Sequence, residues 1–222
     1  DAPRVVAAHC CWISEPDIAI IKKYDVGVAY CPSCEAKMAD GLPPVSRLVH
    51  DHVSVAISID ATCVNNSADL LREAKIGTLL QKVAPPLDPE LLPAEKALEM
   101  ITVDAARALG LQSEVGSLEV GKKADLIALR IDRPQYVPLL DGPRYTIINH
   151  LIYAGSGADV SEVIVNGRRV IENYELVTVD EQEVVASAQR IFVEFMQQSG
   201  INSEINQMRW TDDPDQRAMA SA

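Results

Sequence analysis

RVVAAHC, residues 4–10, is a short apolar run that ends on a side chain able to do chemistry, His9. Residues 53–59 repeat the pattern and end on Asp60. Side chains at the carboxyl ends of parallel barrel strands face the active site, so a His and an Asp delivered in this way read as catalytic before they read as structural. The bland readings are a satisfied structural histidine and an Asp that caps a turn. The pairing of the two strand ends favours the catalytic one.

Working outward, residues 4–8, 26–30 and 53–59 read as strands, near-continuously apolar as a parallel sheet covered on both faces requires. Residues 14–24 read as a helix with Ser14 as N-cap and Glu15 and Asp17 in its first turn. Residues 31–44, with Gly41 and prolines, read as a loop, and 45–51 as a short helix. After Asp60 a loop leads to an amphipathic helix from Ala68 to about Lys82. These are three successive β/α units. Pro85, Pro86, Pro89 and Pro93 punctuate a linker, and residues 94–109 read as one helix closed by Gly110.

From Gly116 the pattern changes to short strands at 116–120, 124–130, 160–165 and 168–171, with a hairpin signal at Asn166-Gly167 and a helix at 146–154. Residues 180–198 read as a terminal helix with Asp180 as N-cap, and 203–222 as a polar tail or an arm on a neighbouring subunit. The expected fold class is α/β: the distal half of a TIM-like (β/α)8 barrel, then a small β-sandwich and a C-terminal helix. The expected domains are 1–112, 113–178 and 179–222.

Composition narrows the classes. A 222-residue chain with 48% hydrophobic content can bury a sizeable core. No apolar stretch approaches the roughly 20 residues that cross a bilayer, and no charged-then-apolar leader opens the chain, so no membrane is expected as a partner. A net charge of −12 and a pI near 4.7 repel a polyanion, and no basic stripe offsets them, so nucleic acid is not expected either. Five Cys, an odd count, suit reduced thiols and a cytoplasmic protein. The chain opens on Asp1 with a strand almost at once, and is expected to be the back part of something longer.

Three sets of residues carry a resemblance. They are Ala8-His9-Cys10; the run from Cys31-Pro32-Ser33-Cys34 through Lys37-Met38-Ala39-Asp40-Gly41 to Pro44-Val45; and Ile59-Asp60 with Asn65-Asn66. They resemble the last three strand ends of an amidohydrolase-superfamily barrel, in the branch of triazine hydrolases and heterocycle aminohydrolases. Residues 105–110 and 116–126 resemble the passage where that family leaves its barrel for a small β-sandwich, and 163–167 a strand and turn near the sandwich's end. The resemblance covers about residues 4–195.

The resemblance implies a role for each matching position. His9 falls on the strand-six histidine that hydrogen-bonds the attacking water or the substrate's polarised group. Asp60 falls on the strand-eight aspartate that ligates a divalent metal, zinc ahead of iron, and takes a proton from its water. Cys31, Cys34 and Glu35 would lie nearest the chemistry in the substrate pocket, with Asn65 and Asn66 as further substrate contacts or as caps that order the loop.

The departures are equally specific. The family's His-x-His pair at strand one, its strand-five His and its catalytic Glu have no counterpart here, and His50, His52 and His150 lie away from the strand tips. Ser58-Ile59-Asp60-Ala61 stands where Gly-Thr-Asp-Gly is usual, and Cys34-Glu35 replaces a common Ser-Asn pair. The implied function is metal-dependent hydrolysis, an aminohydrolase or deaminase cleaving a C–N bond of an N-heterocyclic small molecule by metal-activated water. The chain would supply part of that site, with the N-terminal half of the barrel as its partner and a homo-oligomer as its state, residues 191–196 serving as a contact. The other reading is a non-catalytic binding module, a half-barrel lacking the metal centre, separated from the first by a mass near twice this one.

Two local motifs carry no site of their own. Cys31-x-x-Cys34 lacks the second pair of a structural zinc site. A redox role for it needs a helix start, against which Pro32 and Gly41 argue. Residues 116–123 approach a phosphate-binding loop, but Lys123 stands where Ser or Thr would hold magnesium.

Overall fold

The computed structural model describes residues 4–140 and 146–199. They fall into two compact units, 1–175 and 176–222. In the first unit, strands β1 (Val6–Ala8), β2 (Gly27–Tyr30) and β3 (Val55–Ile57) form a parallel sheet with β2 in the centre. Val6 is opposite Gly27, and Val28 opposite Val55. The crossovers are helical: α1 (Glu15–Lys23), then α2 (Pro32–Met38) and α3 (Val45–His50). Ser14 precedes α1, and its N–H donates to the Asp17 carboxylate at 2.8 Å. The three β/α units read from the sequence are therefore present in order.

Helix α4 (Thr62–Asn65) and α5 (Leu70–Val83) follow β3, and α6 (Ala94–Met100), α7 (Val103–Ala108) and α8 (Ile147–Ala154) complete the packing. Val28, Tyr30, Val45, Leu48, Val55, Ile57, Ala74, Ala97, Met100 and Ile152 make one buried cluster. Each large side chain in it contributes roughly 1.5–3 kcal/mol of burial. Gly27 is the point of closest approach: a Cβ there would lie 2.4 Å from the Ala108 carbonyl oxygen. The packing of α7 on β2 thus requires glycine.

Beyond α7, β4 (Leu126–Leu129), β5 (Val160–Val165) and β6 (Arg168–Glu172) are successive antiparallel neighbours. Asn166 and Gly167 turn the β5–β6 hairpin with positive φ, as that pair of residue types favours. Of the expected β-sandwich, the described residues hold this one sheet, ended by the short β7 (Glu175–Leu176). In the second unit α9 (Glu181–Ser199) matches the expected terminal helix, with Asp180 Oδ1 accepting the Glu183 N–H at 3.0 Å. The expected tail, 203–222, lies outside the described residues. Among those residues no helix is long and apolar enough to cross a membrane.

Three local expectations are corrected. Residues 31–44 are not all loop, because α2 begins at Pro32. Proline costs nothing at the first helical position, where its missing N–H has no partner to lose, and the buried Glu73 of α5 accepts the Ser33 N–H at 3.1 Å and hydroxyl at 2.5 Å. The helix read over 94–109 breaks at Ile101-Thr102, where Thr102 has φ −130° and ψ −95°. Residues 116–120 form turns rather than a strand, with Gly116 and Gly121 both at φ +97° and Leu118 and Val120 exposed.

Candidate functional site

The strands deliver their ends to one rim because they are parallel. His9 directly follows β1, and its N–H donates to Ala29 O at 2.8 Å, which extends the pairing with β2 by one residue. The chain then turns sharply, with His9 at φ +66° and Cys10 at φ +58°. Beyond β3, Ser58 N–H donates to Tyr30 O at 2.8 Å, and Asp60 takes φ +56°. Left-handed geometry at non-glycine residues costs on the order of 1–3 kcal/mol each and concentrates at functional sites. Both strand-end residues singled out in the sequence adopt it.

Between these two ends, Cys31 closes β2 and α2 carries Cys34 and Glu35 back beneath the rim. Glu35 is wholly buried, its Oε1 accepting the Cys31 N–H at 3.0 Å and lying 3.6 Å from His9 Nδ1. Burial pushes its carboxyl up to about 7, against the lowering pull of the Cys31 N–H and His9. The neighbouring Asp60 carboxylate, with burial, raises the Cys34 thiol to about 12, and the thiol in turn holds the Asp60 carboxyl below its ordinary value. Burial, with Glu35 and Asp60 adding to it, takes the Cys31 thiol to about 12 as well. Asp60 is thus an exposed, ionised carboxylate, and His9 further favours its charge.

The site residues read from the sequence divide in two. His9, Cys31, Cys34, Glu35 and Asp60 converge. Cys31, Cys34 and Glu35 are buried, while His9 is partly and Asp60 largely exposed. Asn65 and Asn66 have local partners of their own: Asn65 Oδ1 accepts the Ser67 N–H at 3.1 Å, and Asn66 Oδ1 accepts from Lys37, whose Nζ also donates to Val64 O at 2.7 Å. Neither caps α5. That cap is Asp69, whose Oδ1 accepts from Leu71 N at 3.1 Å and Arg72 N at 3.2 Å while Oδ2 accepts from Gly157 N at 2.8 Å. Asp69 escaped the sequence reading, which has Lys37 only as part of the resembling run, without a contact. Asp69, directly before the apolar-periodic run, carried the signal of an N-cap.

The donor chemistry can be tested against a metal. Among the described residues, His9, Cys31 and Glu35 form one group whose ligand atoms lie within 4.8 Å of one another. Its thiol holds its proton far above neutral pH, so the group is poorly prepared for a cation. Asp60 is ionised and accessible, and fits as one hard oxygen donor of a catalytic site, which ordinarily takes three protein ligands and an open position. Cys31 and Cys34 do flank a helix start, contrary to the loop expected there. Their raised thiols still lack the low pKa that redox chemistry requires.

Comparison with known proteins places this geometry. The model of the amidohydrolase family matches residues 1–170. The chain is 40% identical over 185 residues to a 5-methylthioadenosine/S-adenosylhomocysteine deaminase of Syntrophomonas wolfei, covering 83% of this chain and 42% of that protein. It is likewise 40% identical over 186 residues to a 5'-deoxyadenosine deaminase of Methanosarcina acetivorans, covering 84% and 41%. Among solved structures it is similar to an adenosine deaminase from Xanthomonas campestris with bound zinc, at TM-score 0.80 and 30% identity over 86% of this chain and 42% of that one. An atrazine chlorohydrolase from Arthrobacter aurescens, complexed with zinc, gives TM-score 0.75 and 27% identity over 84% and 40%. The chain spans about two fifths of the length of the curated relatives it matches.

Proposed function

Since the chain belongs to the amidohydrolase family, we propose that it supplies the distal half of the active site of a hydrolytic deaminase acting on an aminated N-heterocycle, adenine nucleosides first. The carrying observation is the delivery of His9 and Asp60 from the carboxyl ends of β1 and β3 onto one electrostatic cluster. The relatives at 40% identity named as deaminases of adenosine derivatives support the substrate class. The remaining strands of the barrel, from the N-terminal part of a longer protein, would complete the site. The five free thiols suit a cytoplasmic setting.

Asp60 would be one donor to a divalent ion, zinc by analogy with the zinc-bound neighbours. When bound, that ion supplies an activated water at neutral pH. The ionised Asp60 carboxylate accepts the proton of the attacking water and passes it to the departing amine. His9 hydrogen-bonds the attacking water or the polarised ring position. Water adds to the ring carbon, the C–N bond breaks, and ammonia leaves. Elemental analysis of the full-length gene product tests the reading: about one divalent ion per chain is expected, and a metal-free protein of full length would overturn it.

A further inference from the structure

His9 has a partner that the proposed chemistry leaves unused. We propose that Glu35 is a positioning residue for His9, holding the imidazole in the tautomer protonated on Nδ1 so that Nε2 is presented as an acceptor to the attacking water. The inference deepens the proposed function and rests on it for the role of His9.

The geometry carries it. Glu35 is wholly buried, and its Oε1 is pinned to the backbone at the end of β2 by the Cys31 N–H at 3.0 Å. From that anchor Oε1 lies 3.6 Å from His9 Nδ1, a few tenths of an ångström beyond a hydrogen bond. Among the described residues, His9 Nδ1 and Glu35 Oε2 are both buried without a hydrogen-bond partner. The carboxylate atom facing the unpartnered Nδ1 is Oε1, which also accepts the Cys31 N–H, and a proton on Nδ1 directed at it gives that buried nitrogen the partner it lacks. The His9 backbone is fixed by its N–H to Ala29 O and by its left-handed φ, and from there its Nδ1 reaches to 3.6 Å from the carboxylate. Catalytic hydrogen bonds that are long in an empty site tighten when the site is assembled.

The two edges of the ring differ in the sense required. Nδ1 is the buried edge, and the 37% exposure of the side chain therefore belongs to the rest of the ring, which faces the rim. The Cys31 thiol does not compete for Nδ1, because Sγ donates to Ala29 O at 3.8 Å. Once ionised, above about pH 7, the Glu35 carboxylate only accepts, so there it selects the Nδ1–H tautomer, whereas an amide in its place presents either a donor or an acceptor.

The test uses the full-length gene product with ¹⁵N-labelled histidine, His9 being assigned by the resonance lost in His9→Gln. The wild type is expected to carry its proton on Nδ1, and Glu35→Gln to shift His9 toward the other tautomer. In steady-state ammonia release, Glu35→Gln should lower kcat about 10- to 100-fold with KM nearly unchanged, and Glu35→Asp should recover part of the loss. A wild-type His9 protonated on Nε2 overturns the proposal, and needs no variant to fold. So does a folded Glu35→Gln whose loss is in KM alone, which would make Glu35 a substrate contact. Failure of the wild type to release ammonia overturns the proposed function instead, and leaves the tautomer reading to stand or fall by its own spectrum.

Discussion

Two buried carboxylates next to α2 have opposite histories at the scale of the residue. Glu73 accepts two bonds from Ser33, which offset the cost of its burial. Glu35 accepts one from the Cys31 backbone and leaves Oε2 without a partner, and its carboxyl rises from 4.5 to about 7. Between those two values the folded chain binds the proton that the unfolded chain has already released, so stability falls as pH rises through that window and stays lower above it. Glu35→Gln abolishes this loss. Its unfolding free energy in urea should match the wild type near pH 4 and exceed it by on the order of 2–3 kcal/mol at pH 8; a difference that does not change with pH contradicts the assignment. Gly27→Ala tests the close approach of α7 to β2. With a Cβ placed 2.4 Å from Ala108 O, a loss of about 2–4 kcal/mol is expected in urea unfolding.

Elements differ in how far their own residues specify them. The strand ends were legible because an apolar run that stops on His9 or Asp60 carries both its period and its terminus in consecutive positions. The first helix was legible for the same reason, Ser14 and Asp17 being local. Helix α2 was not: its N-terminal turn is satisfied by Glu73, 40 residues further along the chain, and no local pattern announces that partner. Residues 116–120 were read as a strand from the change of pattern at Gly116, but a strand needs a neighbour, and Ser117 instead bonds Glu119 and Lys122 in a turn. Of the site, Glu35 and Cys34 were found as positions, but their burial depends on packing that periodicity does not encode. Asp69 links the start of α5 to Gly157, so Asp69→Ala should cost about 1–2 kcal/mol and speed hydrogen exchange in the first turn of α5. Asn66→Ala, which removes no cap of α5, should leave that turn's exchange unchanged.

At the scale of the molecule, the first unit is a run of parallel strands whose chemistry is gathered at one end. Its sheet has β1 at one edge and β3 at the other, and the polar residues that matter lie beyond their carboxyl ends rather than within them. Under the proposed function this arrangement leaves the strand scaffold tolerant of change while the tips would set the reaction. It also divides the labour, since Asp60 offers one donor and the relatives are more than twice as long as the matched region. The most direct measurement is ammonia release from 5'-substituted adenosines by the full-length gene product, compared with Asp60→Asn and His9→Asn. A releasing wild type with each variant slowed at least about 100-fold, all three remaining folded, is the expected result. Variants that release ammonia at the wild-type rate would contradict the claim that β1 and β3 carry the catalytic residues.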